Sequence, residues 1–189
     1  MASRLRSPLV FAALLFVVLT VGYFCYRTYI FRYSDTSLAS QFWETPTLDL
    51  PADEESVLYR GIAWIREDGF DEATRLLNTL PATHPDYPSA QFYAGYAYHQ
   101  AEKYNGAMAA LLNATEIGPS TIAARAQWML LLTYLRTGRT DRSFSQLMRD
   151  ILKDKSHPYR DQALALEQAI QSSWRSRWEQ IEYGDKKTF

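Results

Sequence analysis

Shifted 34 residues along itself, this chain keeps its physical character. Gly61 falls on Gly95, Trp64 on Tyr98 and Phe70 on Tyr104. Ala73 falls on Ala107, Leu77 on Leu111 and Pro85 on Pro119. A fixed period of this length constrains folding more than composition does. Each period is one supersecondary unit that cannot bury its apolar face alone, so units must stack, and about three are needed. Turn-forming stretches punctuate the chain at EDGF (67–70), THPDYP (83–88), GPS (118–120), RTGR (136–139) and KSHPY (155–159). Between them, apolar residues recur at helical spacing. No segment alternates with period two, so the expected fold class is all-α, built from helical hairpins with short turns.

Small and large residues divide the work within a period. Gly95 and Ala107 lie where two antiparallel helices meet, and their size lets the axes approach. Tyr98 and Leu111 fill the space around that contact, Tyr104 begins the second helix, and Pro119 ends the unit because proline cannot continue a helix.

The period and these residues resemble the tetratricopeptide repeat (TPR) family. Gly95, Tyr98, Ala107, Leu111, Ala114 and Pro119 occupy the family's small, aromatic, alanine, large apolar, small and proline places. Gly61, Trp64, Ala73, Leu77 and Pro85 do the same one period earlier, with Leu80 where a small residue is usual. A third unit carries Tyr134, Ser143 and Leu147, but has Leu131 and Asp150 at the small places and a late Pro158. The resemblance implies a helical solenoid over 54–171, with units at 54–87, 88–121 and 124–159 and a capping helix at 160–171. Residues 172–189 are a C-terminal extension in which Trp174, Trp178 and Ile181 stand at helical spacing.

The N-terminus is built differently. From Pro8 to Tyr26 there is no charge, a run close to the roughly 20 residues that cross a bilayer as a helix. Arg4 and Arg6 lie in the flank at 1–7, Arg27 and Arg32 follow the run, and Tyr23, Tyr26, Tyr29 and Tyr33 crowd its second end as an interfacial belt would. An uncleaved transmembrane anchor over 8–31 is the expectation. A removed signal peptide, shorter and with small residues at its cleavage site, is the alternative. Arg4, Arg6 and the terminal amine, set against Arg27 and Arg32, bias the N-terminus only slightly toward the cytoplasm, placing the repeats in the periplasm of a bacterium, with a cytoplasmic repeat domain as the other arrangement. Residues 32–53 read as a linker broken by Pro46 and Pro51, and Phe42, Trp43, Leu48 and Leu50 give it apolar contacts to make.

Chemistry-bearing patterns are sparse. The formal charge of −1 provides no electrostatic case for nucleic acid. Cys25 is the one cysteine, and His84, His99 and His157 are far apart in sequence. No nucleophile elbow, phosphate loop or metal-ligand spacing occurs, so neither an enzyme nor a cofactor nor a small-molecule substrate is expected. Asp53, Glu54 and Glu55 are expected to open a helix, where carboxylates favour the macrodipole.

In TPR proteins the concave surface is lined by the first helix of each unit, and the resemblance carries that role onto this chain. Unit one contributes Leu58, Ile62, Ile65 and Arg66; unit two contributes Phe92, Tyr96 and His99; unit three contributes Arg125, Trp128, Leu132, Leu135 and Arg136. This lining is largely apolar and edged by arginine, which suits an amphipathic helix or an extended apolar peptide. Two occupants are open: a partner protein, or the chain's own linker or tail. The expected function is a membrane-anchored adaptor that binds a protein partner through this groove. The alternative is a constitutive accessory subunit of a larger membrane complex, with purely structural repeats.

Overall fold

The computed structural model describes residues 8–183, without side-chain detail at 8–10 and 181–183. The flank at 1–7 with Arg4 and Arg6, the Ile181 side chain and the end of the extension at 184–189 lie outside the described residues. Among the described residues there are ten helices and no strand. They are α1 (Pro8–Phe31), α2 (Asp35–Phe42), α3 (Val57–Arg66), α4 (Phe70–Leu77) and α5 (Tyr87–Gln100). There follow α6 (Tyr104–Ile117), α7 (Ser120–Arg136), α8 (Arg142–Lys153), α9 (Arg160–Ile170) and α10 (Ser173–Tyr183). Within α1, Phe11–Phe31 is long and apolar enough to cross a membrane.

From α3 to α9 each helix packs against the next, and α5 also packs against both α3 and α7. The 34-residue period appears directly in these contacts. A Cβ built on Gly61 would lie 2.6 Å from Leu77 Cγ, and one built on Gly95 would lie 2.6 Å from Leu111 Cγ. Both leucines are fully buried, so glycine is what lets α3 approach α4 and α5 approach α6.

The turns repeat as well. Asp68, Glu102 and Gly138 adopt φ of 59°, 57° and 69° at the ends of α3, α5 and α7. The following amides of Gly69, Lys103 and Arg139 donate back to the carbonyls of Trp64, Tyr98 and Tyr134 at 2.8, 2.8 and 2.9 Å. One left-handed residue thus closes each first helix and satisfies a carbonyl that the helix end leaves free. The third turn falls two residues late against the period, at the RTGR insertion.

Side-chain caps start other helices: Ser34 accepts from Ser37 N, Ser56 from Tyr59 N, and Asp141 from Ser143 N. Ser56 corrects one expectation. The acidic triplet does not open α3; it forms the turn before it, where Asp53 Oδ1 accepts from Glu55 N.

The core has two lobes. One joins α3 to α7 around Ile62, Leu77, Phe92 and Leu111. The other joins α2, α7, α8 and α9 around Leu38, Trp128, Leu132 and Leu166. Trp43, Tyr134 and Leu147 touch both.

Candidate functional site

The twelve residues expected to line a groove all lie on α3, α5 and α7. The apolar ones among them are covered. Leu58, Ile62, Ile65, Phe92, Tyr96, Trp128, Leu132 and Leu135 are all buried. Of the two occupants expected, a partner protein or the chain's own linker or tail, it is the linker segment from Asp35 to Leu50 that packs here.

This strap runs opposite to the order of the units. α2 packs on α7 and α9, with Leu38 and Ala39 each 2% exposed and Phe42 edge-on to Trp128 at 6.3 Å between ring centres. Trp43 then stacks on His99, ring centres 3.7 Å apart and planes 16° from parallel, and on Tyr96 at 6.3 Å. Beyond Pro46 the strap is neither helix nor strand, and Leu48 and Leu50 pack against the first lobe of the core. Burial of one leucine such as Leu38 contributes about 2 kcal/mol, so several such side chains hold the strap firmly.

The three arginines expected to edge a partner site grip the strap instead. Arg66 Nη2 donates to the Leu48 carbonyl. Arg125 Nη2 reaches Thr47 Oγ1 at 3.5 Å, its guanidinium lying 4.6 Å over the Phe92 ring. Arg136 Nη1 donates to the Thr36 carbonyl at 3.4 Å and to Ser40 Oγ at 3.2 Å. Tyr93 OH completes the set by donating to the Thr47 carbonyl at 3.1 Å. Residues 43–50 pair with no strand among the described residues, and these side chains occupy two of their carbonyls.

His99 sits at the centre of the seam. Its Nδ1 lies 3.0 Å from Thr133 Oγ1, a residue one period further along the chain. Burial beneath Trp43, with the nearby Arg136 charge second, lowers its pKa to about 4. The imidazole is therefore neutral at pH 7, and among the described residues no carboxylate pairs with it. Among the described residues no group of three or more His, Cys, Asp or Glu side chains is placed to hold a metal ion.

The tail, the other possible groove filler, goes elsewhere. On α10, Trp174 packs edge-on to Tyr29 at 5.2 Å and Trp178 to Phe31 at 5.3 Å. Arg175, 8% exposed, sits between helices, with Nη1 2.6 Å from Asp35 Oδ1 and Nε 3.1 Å from Glu179 Oε1. The first contact is an ion pair rather than an aligned hydrogen bond. Burial pushes the Asp35 carboxyl up, and the Arg175 charge pulls it back.

The linker composition carried the signal for the strap: Leu38, Phe42, Trp43, Leu48 and Leu50 in a segment otherwise made of small and polar residues and Pro. Nothing in the sequence marked Arg175 as the residue joining the tail to the start of the strap. No family model, curated protein or solved structure matches the chain.

Proposed function

We propose that this chain is a non-catalytic, single-pass membrane protein whose TPR-like repeats serve as a structural accessory subunit of a larger membrane assembly. The observation that carries this reading is the strap. A groove filled by buried side chains and gripped by three arginines offers no vacant seat for a peptide, so partners are met by other surfaces. Support for a repeat solenoid comes from the matched Gly61–Leu77 and Gly95–Leu111 contacts and from the recurring left-handed turn. Support for the anchor comes from α1, whose apolar window is unburied. The repeat domain is assigned to the periplasmic side of a bacterial inner membrane on the slight excess of positive charge before the anchor.

The other available surfaces include α1 itself and exposed apolar side chains on the repeats, Leu112 at 43% and Ile117 at 50% on α6. The test is site-specific photocrosslinking of the intact tagged chain in native membranes. A crosslinker at position 112 or 117, or along α1, is expected to capture the same protein, while one at position 43 captures none. A partner crosslinked through position 43 overturns the reading and restores the adaptor with an open groove.

A further inference from the structure

We propose that the crevice between α1, α2 and α10 binds one phospholipid with a zwitterionic, amine-bearing headgroup. The proposal rests on α1 spanning a membrane. The crevice is a cavity of about 580 Å³ that opens on the last turns of α1. Its position is that of the bilayer interface, since Phe11–Phe31 is the apolar span and these turns are its end. A site there meets lipid before any soluble ligand.

The walls divide by chemistry. Phe24 and Phe31, 63% and 49% exposed, line one side with Trp178, an apolar surface suited to an acyl chain. Arg27, on the same helix face as Phe24 and Phe31, also lines the cavity. Among the described residues no carboxylate comes within ion-pairing distance of it. It is the position for a phosphodiester, which a guanidinium can bind with two donors. The other lining charges are Arg175, Asp35 and Glu179, so the cavity holds two positive and two negative groups. That balance matches a headgroup of no net charge better than an anionic one. Asp35 is committed to Arg175, whereas the Glu179 side chain is 53% exposed and among the described residues pairs through Oε1 alone, which leaves its second oxygen to accept from an ammonium.

The experiment is native mass spectrometry of the full chain extracted in mild detergent, beside Arg27→Gln. Membrane fractionation comes first: a chain absent from the membrane fraction refutes the anchor itself. For a membrane-located chain, the expected result is one phosphatidylethanolamine retained per protein through detergent exchange. Arg27→Gln is expected to lower the retained fraction about tenfold, the worth of one charge-assisted contact. Helicity by circular dichroism should not change, because Arg27 is exposed. Inorganic phosphate, added in excess, is expected not to displace the lipid. A membrane-located wild type that carries no stoichiometric lipid overturns the site. So does equal retention by Arg27→Gln, displacement by phosphate alone, or preferred retention of phosphatidylglycerol. As a second readout, a phosphatidylethanolamine with brominated chains should quench wild-type fluorescence more than that of Trp178→Phe.

Discussion

Gly95→Ala adds one methyl group where the structure has no room for it. The new Cβ would lie 2.6 Å from Leu111 Cγ, 2.8 Å from its Cδ2 and 3.3 Å from its backbone nitrogen. Leu111 cannot swing aside, because it is fully buried and the closest atom is its branch carbon rather than a free end. The helices must separate, or Leu111 must leave its rotamer, and overpacking of this kind costs about 1–3 kcal/mol. Contact with a branch carbon and a backbone atom together places the cost at the upper end. Against it stands the helix propensity of alanine, favourable over glycine by about 1 kcal/mol. The net expectation is a loss of about 2 kcal/mol, read from urea titration of the full chain in detergent by circular dichroism. Leu111→Val makes space at the same contact, so the double variant should be more stable than the sum of the single losses allows. Gly61→Ala should behave alike, since its Cβ meets Leu77 Cγ at the same 2.6 Å. A Gly95→Ala protein as stable as wild type, or strict additivity with Leu111→Val, refutes the argument that glycine sets the spacing of α5 and α6.

His99 makes stability depend on acid. Its folded pKa of about 4 lies below the ordinary 6.5, so its contribution is complete above pH 6.5 and is lost as pH falls toward 4. Allowing for solvent at a ring that is only half-buried, the loss is about 1–2 kcal/mol, and Trp43→Ala should move the imidazole titration seen by NMR back toward 6.5. Glu102→Gly should stabilise the fold by about 0.5 kcal/mol, because relief of a left-handed backbone outweighs the entropy of glycine. A drop in the unfolding midpoint would refute the strain at that turn. Arg175→Met leaves the Asp35 carboxylate without its cation and should cost about 2 kcal/mol in thermal or urea unfolding. Adding Asp35→Asn should restore most of that loss.

Features set by local spacing were legible in the chain itself. The 34-residue register located Gly61, Gly95, Leu77 and Leu111, since each pair meets within one hairpin. The uncharged run located α1, and the turn residues located the breaks between helices. Features set by distant contacts were not legible. Phe42, Trp43, Leu48 and Leu50 announced that the linker would pack on something, but nothing local distinguished the groove from another surface. The same ambiguity covered Trp174 and Trp178, whose helical spacing fits a groove as well as it fits the end of α1. Arg66, Arg125 and Arg136 were placed at the groove's edge, but their partners are strap atoms 18, 78 and up to 100 residues away in sequence. The left-handed turns at Asp68 and Glu102 escaped notice because neither residue is a glycine.

The direction of the strap has a consequence for how the molecule is made. Thr36 and Thr47 leave the ribosome long before Arg136 and Arg125, which hold them. Each hairpin can form as soon as its own residues are available, since its contacts are local and local contacts form fast. The strap has no such freedom. Its first turn docks on α7 and α9, from the later half of the chain, so Leu38 and Phe42 stay uncovered until those helices exist, whereas Trp43 can already stack on α5. Loop closure over that separation comes last, after the local helices have formed. The fold is therefore completed beside the end of α1, and the strap is the final closure rather than the starting nucleus.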